Sequence, residues 1–217
     1  MSDIFQEVDE EVRREQLKKL WQQYGNYAVA ACLLIIVGVG AWRGYEWWES
    51  KKAAEAGAAF EQAVSLAEAG KNQEAEAAFA KLAAEGTAGY RILARLREAA
   101  ELAGTDRKAA VKTYDEMAAD RSVPKAIQDL AAVRAGLLLV DKASYSELRA
   151  RLEPLTAADR TFRHSARELL ALSAWKAGDM RAARQWTDMI VSDPAAPAGA
   201  RSRAGVLSEL IAASGKV

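Results

Sequence analysis

Nineteen consecutive residues, Tyr24 to Trp42 (YGNYAVAACLLIIVGVGAW), carry no charged side chain. As a helix rising ~1.5 Å per residue, the run would be about 28 Å long. The hydrocarbon core of a bilayer is roughly 30 Å thick. Aromatic residues bracket it. Trp21, Tyr24 and Tyr27 stand at one end, and Trp42, Tyr45, Trp47 and Trp48 at the other. Rings with one polar atom collect at the headgroup level, where the ring is desolvated and the N–H or O–H stays wet. Four of the six Trp lie in this region, so a buried core helix is the poorer explanation. A membrane span is expected, with Tyr24, Tyr27, Ala28, Cys32, Leu33, Leu34, Ile35, Ile36, Val37 and Trp42 among its residues.

Neither processed alternative fits. The 23 residues before the run hold six acidic side chains against four basic ones, whereas a cleaved signal begins with a short basic stretch. Val29-Ala30-Ala31-Cys32 has the look of a lipobox, but the apolar residues lie mostly after Cys32 rather than before it. An uncleaved anchor follows. Arg13, Arg14, Lys18 and Lys19 precede it, while Arg43, Lys51 and Lys52 follow it. Four cations against three lean toward a cytoplasmic N-terminus without settling it. Ile4, Val8 and Val12 recur at helical spacing and predict a short amphipathic lead. Gly40 and Gly44 form a GxxxG pair, a weak sign of close helix approach. The chain therefore divides into a cytoplasmic segment 1–23, a span with its aromatic flanks 24–48, and a domain 49–217.

That domain reads as all-α throughout. Predicted helices cover about 49–69, 72–85, 89–103, 106–119, 124–140, 144–153, 161–177, 179–191 and 197–213. The first has no Gly or Pro between residues 45 and 56 to separate it from the span. Breaks at Gly70, Gly104, Asp141-Lys142 and Gly178 are 34, 37 and 37 residues apart. A period near 34 signals a solenoid of helix pairs. The second helix of each pair carries Ala, then an aromatic, then Leu or Met. The sets are Ala75, Phe79 and Leu82; Ala110, Tyr114 and Met117; and Ala182, Trp186 and Met189. Ala lets the paired helix approach, and the ring fills the space between neighbouring pairs. Ser144, Leu148 and Leu152 offer a degenerate member between the second and third sets. About four pairs result, with the helix from Arg201 capping the open end.

Chemistry is excluded more readily than assigned. One His and one Cys cannot assemble a Ser-His-Asp or Cys-His site or a His-rich or Cys-based metal site. His164 reads as a surface or cap residue. No phosphate-cradling glycine motif occurs, so no cofactor or small-molecule ligand is implied. The formal net charge of zero gives no general affinity for nucleic acid. Carboxylates alternate with cations at helical spacing, as in Arg95 with Glu98 and Glu147 with Arg151, which predicts solvated faces.

The period and the Ala–aromatic positions resemble the tetratricopeptide repeat, without its full Trp-Leu-Gly-Tyr first-helix signature. The whole layout is similar to a narrower family. A charged start (DIFQEVDEEVRREQLKKLWQQYGNY), one span and divergent repeats resemble the YfgM-like ancillary subunits of the bacterial Sec translocon. That resemblance is clearest over residues 3–50. It implies an inner-membrane protein whose repeats stand in the periplasm, working with the translocon, periplasmic chaperones and emerging exported chains. The competing expectation is a structural component of another envelope complex that handles no clients. Some repeats of this kind clamp a terminal carboxylate with paired Asn and basic residues. With only Asn26 and Asn72 available, such a clamp is not expected here, and binding would rest on apolar and Arg side chains.

Overall fold

The computed structural model describes residues 3–214, and every described element is helical. The helices are α1 (Asp3–Glu68), α2 (Asn72–Glu85), α3 (Ala88–Thr105), α4 (Arg107–Ala119), α5 (Lys125–Leu139), α6 (Tyr145–Leu152), α7 (Arg163–Lys176), α8 (Met180–Val191) and α9 (Ala198–Ala213). A single 3₁₀ turn, Glu153–Leu155, prolongs α6; the sequence reading has no such turn there. The chain divides into two compact units, Met1–Ala54 and Glu55–Val217.

In the first unit α1 runs through the apolar segment without a break. Leu33, Leu34, Ile35, Ile36, Val37 and Trp42 are all exposed, as are Tyr24, Tyr27 and Cys32. The side chain of Ala28, like those of Ile4, Val8 and Val12, lies outside the described residues. On the aromatic collar at the far end, the Lys52 ammonium sits 3.6 Å from the centre of the Trp48 ring. That is the geometry of a cation over a π-face.

In the second unit, local chemistry fixes where each helix starts and stops. Gly70 and Gly178 take φ of +74° and +80°, which only glycine adopts without steric cost. Around them the Lys71 N–H reaches the Leu66 carbonyl at 3.0 Å, and the Asp179 N–H reaches that of Ala174 at 2.9 Å. This Schellman closure ends the first helix of a pair and satisfies its last carbonyls. Gly104 behaves differently from its expected role as a break. It lies within α3, one residue before the end, and the next helix is started by Asp106, whose carboxylate accepts from the Ala109 N–H at 3.0 Å. Ser144 with Glu147 forms a reciprocal capping box for α6, and Asp179 caps α8 through the Ala182 N–H at 2.9 Å. Pro124 stands just before α5 rather than inside its first turn.

These caps set the register of the buried face. Counting from the residue before each second helix (Lys71, Asp106, Ser144, Asp179), positions +4, +8 and +11 point inward. They are Ala75, Phe79 and Leu82 in α2, and Ala110, Tyr114 and Met117 in α4. In α6 and its 3₁₀ extension they are Leu148, Leu152 and Leu155. In α8 they are Ala183, Thr187 and Ile190. The last set corrects the sequence reading at Ala182 and Met189, while Trp186 is buried in the largest core cluster. Ala182 is only half-buried and Met189 is 40 % exposed, whereas Ile190 is 0 % exposed. Ala182 is the residue whose N–H is capped, one position and about 100° too early to face inward. Thr187 holds the place of the aromatic because its hydroxyl has partners. It donates to the Arg184 carbonyl at 2.9 Å and accepts from the Ser208 hydroxyl at 2.9 Å. Leu152 is admitted by Gly136 of α5, where a Cβ would stand 2.9 Å from a Leu152 methyl carbon.

The core is a chain of neighbouring clusters. Ala56 and Ala63 of α1 pack with Phe79 and Ala94, and the Phe60 ring meets the Phe79 ring at 5.5 Å, nearly edge-on. Ala99, Tyr114, Met117, Ala131 and Ala135 form the next cluster. Residues of α5 to α9 form the largest, around Leu152, Leu170 and Ile211. Each cluster joins adjacent elements, as in a solenoid.

Candidate interaction surfaces

An ionic knot of the repeats surrounds the half-buried Asp193, in the loop that ends α8. Its Oδ2 lies 3.0 Å from Arg163 Nε, 2.9 Å from His164 Nε2 and 3.2 Å from Arg167 Nη1. Its Oδ1 accepts from the Ala195 N–H at 2.9 Å. The bond from Arg163, then those from His164 and the Ala195 amide, hold the Asp193 carboxyl well below the usual carboxylate range. Arg167 also donates to the carbonyls of Met189, at 2.9 Å, and Thr156, at 2.8 Å. One guanidinium thus ties α7 to the end of the 3₁₀ turn, the last turn of α8 and the following loop. In a second pair, Arg160 reaches the buried Asp129 carboxylate of α5 at 3.2 Å. Of the two readings expected from sequence, surface or cap, the surface one does not hold: His164 stands in the first turn of α7, 8 % exposed and bonded to Asp193.

Two expected helical ion pairs are also rearranged. Arg95 reaches across to Asp120 at 2.9 Å, and Arg151 pairs with Asp115 of α4. The Ser122 hydroxyl, then Arg95, hold Asp120 at a pKa of about 2. Glu147 serves the α6 cap instead. Glu98, left without its expected partner, is pushed up by burial and then by Glu76. These contacts span turns between helices, so they stitch pairs together rather than decorate one helix.

Depressions also mark the surface of the described repeats. A groove of about 580 Å³ runs between α6 and α8. Tyr145 and Trp186 form its floor, joined by the indole N–H donating to the Tyr145 hydroxyl at 2.9 Å. Met189 forms part of its wall, which is why that residue is absent from the core. A smaller hollow of about 160 Å³ opens between α7, α8 and α9, beside the Glu168–Arg203 ion pair. Among the described residues, no group of three or more His, Cys, Asp or Glu is arranged to hold a metal ion.

The helix pairs, their capped second helices and the inward positions at +4, +8 and +11 define a helical-repeat scaffold whose apolar and charged grooves suit protein surfaces. A family model described as a tetratricopeptide repeat-like domain matches residues 18–193, and the chain belongs to that family. The match begins ahead of the apolar run and ends at Asp193. Comparison with curated proteins and with solved structures found no match. Membership makes this a protein–protein interaction scaffold, of a fold that is typically non-enzymatic. Among the described residues α1 is the one helix long and apolar enough to cross a membrane.

Proposed function

We propose that the chain is a membrane-anchored interaction scaffold of the bacterial export machinery. Residues 1–23 lie in the cytoplasm, 24–48 cross the inner membrane, and the repeats of 49–217 stand in the periplasm beside the Sec translocon. There they link the translocon to periplasmic chaperones and to exported chains as these emerge. The observation that carries this reading is the band of exposed side chains from Val29 to Trp42 on α1, with exposed Trp and Tyr at both ends. Left in water, such a band would cost ~25 cal/mol per Å² of apolar surface, which lipid removes. Tethering raises the effective concentration of partners at one membrane face and suits a module with modest intrinsic affinity. The layout's resemblance to the YfgM-like subunits supplies the identity of the partners.

Site-specific photo-crosslinking along residues 55–213 in living cells tests the reading. Many exported nascent chains, together with translocon subunits, are the expected products. A single stoichiometric partner unconnected with export would instead make the protein a structural component of another envelope complex.

A further inference from the structure

Two lysines just past the apolar run of α1 stand over aromatic rings. The Lys52 ammonium lies 3.6 Å from the centre of the Trp48 ring, and that of Lys51 lies 5.7 Å from the centre of the Trp47 ring. Each lysine is four residues beyond its tryptophan, and a helical side chain leans toward the N-terminus of its helix. Here that direction is back toward the apolar run. A carboxylate was within helical reach of both: Glu55 is four residues after Lys51 and three after Lys52. Among the described residues neither lysine forms an ion pair with it; both lie over rings instead.

Residues 43–55 hold three cations and three carboxylates, so net charge favours no ligand. Placement does. At about 100° per residue, Lys52 and Lys51 flank the direction of Trp48 by roughly 40° and 60°. Glu49 and Glu46 point roughly 100° and 160° away from it, and Glu46 is taken by Arg43 at 3.1 Å. Glu55 shares the Trp48 face but stands about 10 Å further along the axis, away from the apolar run. On the other side of Trp48, one turn nearer that run, is Gly44. A Cβ there would meet nothing within 4 Å, so bare backbone lies open beneath the ring. Depth agrees. Trp48 is six residues past Trp42, a rise of about 9 Å. Headgroups widen a bilayer from ~30 Å to ~40–45 Å, roughly 5–8 Å on each side. An ammonium drawn back to the Trp48 ring falls at the level of lipid phosphates.

We propose that Trp47, Trp48, Lys51 and Lys52 bind the phosphate of an anionic phospholipid at the edge of the span, with the lipid glycerol against Gly44. The indole faces hold the ammoniums in place, so less side-chain freedom is lost when a phosphate arrives. Lysines at a membrane surface favour anionic lipids, whereas a zwitterionic headgroup brings its own cation to the phosphate. This inference rests on residues 24–48 crossing a bilayer, and it adds the chemical class of lipid that the far end of the span selects.

The test uses the full chain reconstituted in vesicles of equal phosphatidylcholine and phosphatidylglycerol. The protein is floated with the vesicles and then purified in mild detergent with the lipid it retains, which mass spectrometry counts. Phosphatidylglycerol should be retained on the order of 10-fold over phosphatidylcholine, a difference of about 1.4 kcal/mol. Lys51→Gln with Lys52→Gln should abolish most of that preference. Lys81→Gln with Lys142→Gln removes as much charge from exposed sites on the repeats and should leave it intact. A preference that survives loss of Lys51 and Lys52 belongs to the cations at the other end of the span and overturns the inference. Equal losses in the two double variants overturn it too, because general charge attraction would then be the cause. Flotation separates this failure from that of the membrane reading. A chain that floats but retains both lipids equally keeps its span and lacks the headgroup site, whereas one that does not float overturns both.

Discussion

Replacing Arg167 by Ala is expected to melt the C-terminal repeats well below the temperature of the wild type. The side chain is 6 % exposed, and its loss takes the donor from the carbonyls of Thr156 and Met189 and removes one of the three side chains that hold Asp193. Leaving a buried acceptor without its donor costs about 1–3 kcal/mol, here at two carbonyls, and truncating a buried side chain adds a cavity. At roughly 2–4 °C per kcal/mol for a domain of this size, the midpoint should fall by on the order of 10 °C. Arg149→Ala, which removes an exposed pair with Glu153, should leave the midpoint nearly unchanged. Circular dichroism melts of both variants check the contrast, and equal shifts would refute it. The sign of the acid response follows from the same knot. Asp193 is held below its unfolded value of ~3.9, so its stabilisation is complete above that pH and is lost as the pH drops further. Asp120, held at about 2, acts in the same direction. Stability of the wild type should therefore decline from about pH 4 downward.

The second large effect is expected from Phe79→Ala. Phe79 is 0 % exposed and packs against Phe60. Emptying such a site typically costs about 3–5 kcal/mol, partly from lost transfer energy and partly from the cavity left behind. Phe79→Leu keeps most of the volume, so its cost should be about 1.5 kcal/mol or less. Because the core cluster of Phe79 joins only α1, α2 and α3, the damage should stay local. Amide exchange should lose protection in residues 55–68, α2 and α3 while α7 to α9 keep theirs. Uniform loss across the repeats would show instead that the clusters unfold as one unit.

The pattern of these effects shows what the sequence made legible. Helix limits were readable because the punctuation is chemical: Gly70 and Gly178 close helices by positive φ, and Ser144 and Asp179 open them by accepting from the backbone. The inward face of α2 and α4 was readable because an aromatic ring marks it. In α8 the ring is again buried in the core, bonded to Tyr145, but it stands one position before Thr187, which is fully buried. A Thr looks like a surface residue until its hydroxyl is seen to be paired within the helix and by Ser208. Counting from the cap rather than from the ring would have found it. Gly104 misled for the converse reason, as a glycine near an exposed helix end is tolerated without ending it. The knot was hidden because Asp193 lies 26 to 30 residues from the three side chains that hold it, far beyond helical spacing.

The central claim is that the repeats stand on the far side of a membrane from residues 1–23. Cysteine accessibility tests it most directly, since Cys32 is the one native thiol and lies inside the proposed span. In a Cys32→Ser background, Glu85→Cys should react with a membrane-impermeant maleimide in intact spheroplasts, and Lys19→Cys only once the membrane is ruptured. The opposite pattern, or equal labelling of both positions in intact spheroplasts, would contradict the account.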